Sequence, residues 1–250
     1  MKNRKQLPPF GYLSNTSIDV RTLIEYLGGE GLLDFDNYNH IQLDKSDLFE
    51  GFVKASNQIL TEYFKEDTLA PWSEKFKQIQ LTRFDESKSR GPVEFKNTSF
   101  TERIRRQDPS HPGYIPEADE LNYGVRSELV KGEIEKIFDM FTSKITRARL
   151  TFLDAHHDIK PHIDYDTTLV CRYHIPILTN SEVKFFIQSK NIVHEFTMPA
   201  DGRIFFFNQG LKHWVKNDSD YPRLHLIIDV HGQTELEHMI PLDTKQYPAV

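Results

Sequence analysis

The stretch Arg147-Ala148-Arg149-Leu150-Thr151-Phe152-Leu153, with Pro161-His162-Ile163-Asp164 soon after it, marks a change in the character of this chain. Before it, apolar residues recur at helical intervals. From it onward they come in short runs, β-branched and aromatic. Such runs lie at 147–153, 160–165, 169–177, 182–188, 192–197, 203–207 and 224–230, parted by turn residues such as Thr179-Asn180, Ala200-Asp201-Gly202 and Asn217-Asp218. Strands this short and this closely spaced predict a sandwich or jelly roll. Helices first and strands later predict an α+β domain, with the helices bracing a β core.

Upstream, residues 1–16 read as a loosely held arm broken by Pro8-Pro9. Ser17-Ile18-Asp19 is a helix start, running through Ile24 and Leu27 to a stop at Gly28-Gly29. His40–Leu43 alternates like a short strand, and Phe49, Phe52, Val53, Ile59, Leu60 and Phe64 recur as one face of a long helix. Ile79–Phe84 reads as a strand, and Ser127–Ile145 as a second helix through Leu129, Ile134, Ile137, Phe138 and Phe141. Between them, 85–124 is rich in Pro, Gly, Ser and charge, with Arg103, Arg105 and Arg106 clustered in it. A loop that long is either a lid or a solvated insertion. No internal repeat and no interdomain linker is evident, so 1–250 is read as one domain. Its parts are a mainly helical 1–146, a β core over 147–231 and a tail over 232–250.

Composition narrows the function classes. The 250 residues are 38% hydrophobic and 27% charged, as in a soluble globular protein. Net charge is −6, from 31 basic and 37 acidic residues, which argues against nucleic acid as the main partner. The single cysteine, Cys171, excludes an internal disulfide and a cysteine-based zinc site, and suits a reducing compartment. No apolar run follows the basic residues near Met1, and none has the length of a membrane span. The expectation is a cytoplasmic protein without a membrane partner.

The chemistry centres on Pro161-His162-Ile163-Asp164. Residues two apart on an extended strand share a face, so His162 and Asp164 can offer a nitrogen and an oxygen to one point. A second histidine from another strand, His213, completes two nitrogens and one carboxylate. That set holds one face of a divalent metal and leaves positions open, as in non-haem Fe(II) oxygenases. His156-His157-Asp158 and Asp166 are competing candidates. Arg172 and His174 lie in an otherwise apolar run, and Arg223 opens the apolar Arg-Leu-His-Leu-Ile-Ile-Asp-Val. A buried guanidinium needs an anion. Either an internal Asp or Glu supplies it, or the strand end reaches solvent, or a bound dicarboxylate does. A 2-oxo acid fits the last case, because it can also chelate a metal. Phe185-Phe186, Phe205–Phe207 and Cys171 are read as core, His225, His231 and His238 as hydrogen-bonded or exposed, and Asp229 as accepting a hydrogen bond within the fold.

Taken together, Arg147-Ala-Arg-Leu, Pro161-His-Ile-Asp, Arg172-Tyr-His-Ile-Pro-Ile-Leu-Thr-Asn, Asn208-Gln-Gly-Leu-Lys-His-Trp-Val-Lys-Asn and Arg223-Leu-His-Leu-Ile-Ile-Asp-Val resemble the aspartyl/asparaginyl β-hydroxylase family, which includes bacterial proline hydroxylases. The resemblance covers about 147–231. It implies a double-stranded β-helix, a jelly roll of cupin type, with Fe(II) and 2-oxoglutarate. By position it implies His162, Asp164 and His213 as iron ligands. It also implies Arg223 on the distal carboxylate of 2-oxoglutarate, Arg172 and His174 near the metal end of the cosubstrate, and Thr151 as a hydroxyl of the same pocket. The implied reaction uses molecular oxygen to hydroxylate an unactivated C–H of an amino acid or of a residue in a peptide or protein, releasing succinate and CO2. Two alternatives stand beside it. One is a non-catalytic cupin-like module that binds metal or carboxylate; the other is a scaffold whose His, Asp and Arg residues form a buried polar network.

Overall fold

The computed structural model describes residues 1–30, 32, 76–90, 108–116 and 119–249. In chain order it contains β1 (Phe10–Leu13), α1 (Val20–Gly29), β2 (Phe76–Gln80), β3 (Thr82–Arg83), β4 (Val125–Arg126), α2 (Gly132–Phe138), β5 (Lys144–Leu153), β6 (His157–His162) and β7 (Cys171–Leu178). Then follow β8 (Val183–Ser189), β9 (Ile192–Phe196), β10 (Phe205–Phe207), β11 (Lys212–Asn217), β12 (Arg223–His231), β13 (Met239–Pro241) and β14 (Lys245–Pro248). One antiparallel sheet has the order β13-β1-β10-β7-β12-β5-β2, and a second the order β14-β9-β8-β11-β6. This is a mostly β architecture, consistent with a cupin or double-stranded β-helix core.

Alternation along the central strands gives the large sheet two different faces. On β12, Leu224, Leu226, Ile228 and Val230 join Ala148, Leu150 and Phe152 of β5 and Tyr173, Ile175 and Ile177 of β7 in one apolar cluster. The helices close that face: Leu23 and Leu27 of α1 and Ile134, Ile137 and Phe138 of α2 pack into the same cluster. Asp19 caps α1 by accepting from the Thr22 amide at 3.1 Å, which explains why the helix starts there. The opposite face of the large sheet meets the small sheet. Phe205 and Phe207 of β10 and Leu153 of β5 pack with Val183, Phe185 and Ile187 of β8 and Val215 of β11. Between these apolar residues, the inward positions of β12, β7 and β5 carry Arg223, His225, Asp229, Arg172, His174, Arg149 and Thr151, all buried. One period-2 pattern thus builds both the hydrophobic back of the sheet and the polar interior.

Several expectations are corrected. The α+β balance gives way to a mostly β structure, in which α1 and α2 are the α-helices among the described residues. The helix expected over 127–145 is only Gly132–Phe138. Beyond it the carboxylate of Glu235 accepts from the Thr142 and Ser143 amides at 2.9 and 2.8 Å, and Lys144 already pairs with His231 of β12. The arm at 1–16 is held. Phe10–Leu13 pairs between β10 and β13, and the Asn208 side-chain amide donates to the carbonyls of Arg4 and Pro8 at 3.0 and 3.2 Å. The strand expected over 79–84 is split at Leu81 into β2 and β3. The strand expected over 160–165 runs instead from His157 to His162, leaving Asp164 outside it. Strand β11, which carries His213, was not among the expected runs. The strand at 40–43, the helix through Phe49–Phe64 and the Arg103, Arg105 and Arg106 cluster lie outside the described residues. Among the described residues, no helix is long and apolar enough to cross a membrane.

Candidate metal centre

Antiparallel pairing of β6 with β11 sets His162 directly opposite His213. The two imidazole centroids are 4.1 Å apart. Asp164 follows the end of β6, and its amide donates to the Gln209 carbonyl at 3.0 Å. Gln209 is itself anchored, since its side-chain amide donates to the Val170 carbonyl at 2.6 Å. This turn brings the carboxylate back to the two rings. The Asp164 oxygens lie 3.8 Å from His162 Nε2 and 3.9 Å from His213 Nε2. One ligand atom from each of the three residues can be chosen with all of them within 4.8 Å of one another.

The proton positions follow from the hydrogen bonds. His162 Nδ1 is 2.7 Å from the Lys160 carbonyl, and His213 Nδ1 is 2.9 Å from the Leu211 carbonyl. A carbonyl only accepts, so in the neutral rings each proton sits on Nδ1 and each Nε2 is bare. The backbone two residues upstream therefore orients both rings, with Nε2 toward Asp164. Burial pushes the His213 imidazole down to about 4, so it is neutral at physiological pH. Burial works to raise the Asp164 carboxyl, but the Arg172 guanidinium, donating from Nη1 at 2.5 Å, and the two histidines hold it below its ordinary range. Two bare imidazole nitrogens and one carboxylate form a donor set suited to Fe(II). The residues fit the metal.

Behind the centre lies a buried charge network. Arg172 donates from Nε and Nη2 to the two oxygens of Asp229 at 2.7 and 3.1 Å, and Arg149 Nη1 reaches the same carboxylate at 2.7 Å. Asp229 has no exposed surface. Burial alone would raise its carboxyl, but the two guanidiniums hold it far below the ordinary range. The internal acidic partner considered for Arg172 is therefore present. Asp229→Asn leaves Arg172 and Arg149 sharing a neutral group, so we expect a loss of about 3–5 kcal/mol in urea unfolding.

Arg223 is different. It is 1% exposed, and among the described residues no carboxylate pairs with it. Its Nη2 donates to Thr151 Oγ1 at 3.3 Å, its Nε is buried without a partner, and its guanidinium carbon lies 5.7 Å from the centre of the Phe185 ring. Burial pulls its pKa down to about 9. His174 is edge-on to Phe207, which is itself edge-on to His213.

The competing candidates fall away. His156 has a positive φ of 54° and an exposed ring bonded to Asp220 at 2.9 Å. Asp166 accepts from the Thr168 amide at 3.0 Å and pairs with Arg4. Cys171 is buried, its thiol pushed up to about 12 by burial. Sequence reasoning gave His225 no role beyond a hydrogen bond, yet it belongs to the polar interior. The signal was its place two residues after Arg223 on an alternating strand. Gln209, which positions Asp164, left no signal that spacing could expose.

The buried neutral histidines set an acid sensitivity. Burial pushes His174, His213 and His225 below the ordinary imidazole value of 6.5. Above pH 6.5 they are neutral in both folded and unfolded chains. Below it the unfolded chain takes up protons that the folded chain refuses, so stability falls with pH. Each ring adds up to about 1.4 kcal/mol per pH unit of loss. Urea titrations of the metal-free protein between pH 7 and 5 should show this loss begin near 6.5.

Two antiparallel sheets packed against one another, with a His-Asp-His cluster at the β6–β11 pair, define the class: a mostly β fold consistent with a double-stranded β-helix and bearing a candidate metal centre. Within that class, residues 127–232 match the family described as Aspartyl/Asparaginyl beta-hydroxylase. No curated protein matches the chain. Among solved structures, an oxidoreductase of the 2OG-Fe(II) oxygenase family from Burkholderia pseudomallei is 13% identical, covers 65% of this chain and 71% of its own, and has a TM-score of 0.37. The non-haem alpha-ketoglutarate-dependent epimerase of nogalamycin biosynthesis is 13% identical over 34% of this chain and 45% of its own, with a TM-score of 0.28. An oxalate decarboxylase variant from Bacillus subtilis is 12% identical over 46% of this chain and 26% of its own, with a TM-score of 0.29.

Proposed function

We propose that this protein is an Fe(II)- and 2-oxoglutarate-dependent dioxygenase. It hydroxylates an unactivated C–H of an amino acid, free or within a peptide or protein. When bound, Fe(II) and 2-oxoglutarate supply oxygen activation, one oxygen atom entering the C–H bond and the other leaving in succinate as CO2 is released. His162 and His213 hold the metal through Nε2, and Asp164 is the third ligand. Arg172 keeps Asp164 ionised and aimed. Arg223, with Thr151 beside it, receives the far carboxylate of the cosubstrate, and the Phe185 and Phe207 rings keep that pocket dry.

The observation that carries this reading is Arg223, a buried cation with no acidic partner among the described residues, on the same face as Thr151 and His174. An uncompensated buried charge is costly, and an incoming dianion removes the cost. The test is Fe(II)-dependent release of succinate from 2-oxoglutarate across a panel of amino acids and peptides. Succinate that forms only with Fe(II), and increases with one substrate class, supports the proposal. Binding of metal and 2-oxoglutarate without succinate would instead mark a non-catalytic module, and no metal binding at all a polar scaffold.

A further inference from the structure

His225 is fully buried, two residues after Arg223 on the same face of β12. Its backbone carbonyl accepts from Thr151 Oγ1 at 3.3 Å, the same hydroxyl that Arg223 donates to. Its Nδ1 lies 3.2 Å from Nδ1 of His174. Both Nε2 atoms are buried without a partner.

Proton counting makes this pair informative. Two neutral imidazoles carry two protons on four nitrogens. One proton must lie between the Nδ1 atoms, so the ring that donates it has a bare Nε2. The ring that accepts it must carry its own proton on Nε2. The surroundings decide which ring is which. The His225 ring stacks on Phe185 at 5.4 Å and 19°, and Arg223 lies over that same phenyl ring. The Arg223 charge bears on both rings, and the phenyl ring it shares with the stacked His225 favours the lone pair on His225. His174 is edge-on to both Phe185 and Phe207, and Phe207 in turn meets His213.

We propose that His225 is a positioning residue for the cosubstrate. Its Nδ1–H donates to His174 Nδ1, which fixes His174 as the Nε2–H tautomer and gives a diacid lying between the metal and Arg223 one more donor. With the tautomers exchanged, His174 would set a lone pair against that anion. The inference rests on the proposed dioxygenase reading and adds to it a residue outside the resemblance-based site.

The test uses the full chain loaded with Zn(II), an ion that does not turn over, and 2-oxoglutarate as the calorimetric probe. His225→Leu removes the donor. His225→Asn puts an amide N–H near the place of Nδ1. The leucine variant should raise the Kd for 2-oxoglutarate about ten-fold or more, as expected for a lost bond to a charged group. The asparagine variant should stay within about three-fold of wild type, and Zn(II) affinity should change less than about two-fold in both. In the active Fe(II) enzyme the leucine change should raise KM for 2-oxoglutarate more than it lowers kcat. Independently of any variant, 15N spectra of the histidine rings in the wild-type metal-free protein should show His174 protonated on Nε2 and His225 on Nδ1. A folded leucine variant with wild-type affinity, an asparagine variant as weak as leucine, or a His174 protonated on Nδ1 overturns the inference alone. A wild-type protein that does not bind 2-oxoglutarate overturns the dioxygenase reading, and this inference with it.

Discussion

His213→Ala should abolish Fe(II)-dependent succinate release, by about a thousand-fold or more, because losing one of the three proposed protein ligands removes several kcal/mol of metal binding. The reason lies in how this ring is prepared. His213 is almost fully buried, its Nδ1 proton is held by the Leu211 carbonyl, and its Nε2 faces Asp164 and His162. No other described histidine stands ready to replace it. Metal content after dialysis and succinate release should be lost together. Folding should survive, since the change deletes one neutral ring at the junction of β11 and β6 and, apart from its contact with Phe207, leaves the pairing of the large sheet unchanged. His156→Ala serves as the control, its exposed ring lying outside the cluster, and should bind metal as wild type does. If His213→Ala retains metal and turnover, the ligand assignment is wrong.

Arg223→Met should move stability and binding in opposite directions. The guanidinium is buried with a threonine hydroxyl and a phenyl ring for company and no carboxylate among the described residues. Methionine fills much of the same space and buries no charge. The ligand-free variant should therefore be more stable in urea, by about 1–4 kcal/mol. Its affinity for 2-oxoglutarate should fall by about a hundred-fold or more, because an incoming carboxylate would be desolvated without a counter-charge. The paired result is the useful one. In the wild type, saturating 2-oxoglutarate should raise Tm; in Arg223→Met it should not. An arginine that served only packing would give a less stable variant with unchanged ligand response. That contrast separates a binding role from a structural one.

Arg172 shows why composition alone could not make this distinction. Both arginines open onto apolar strands and look alike as text. Arg172 meets Asp229 and Asp164, and its charge is matched inside the protein. Arg223 meets neither. Which guanidinium finds an internal acid depends on which inward positions of β5, β7 and β12 come face to face. That register is set by strand pairing across long stretches of chain.

Read alone, the sequence was sufficient for the strand-rich half, for the helix that begins at Asp19 and for the three metal-ligand candidates. Those features are local or periodic: a cap beside an apolar repeat, alternation along a strand, a His-x-Asp followed by a distant histidine. The tertiary structure alone decided the rest. It drew Phe10–Leu13 into the sheet, ended β6 before Asp164, and gave the short β11 its place between β6 and β8. It also joined His225 to His174. Each of these depends on hydrogen bonds between residues far apart in the chain, such as the Asp164 amide on Gln209, and backbone pairing of that kind leaves no imprint on residue type.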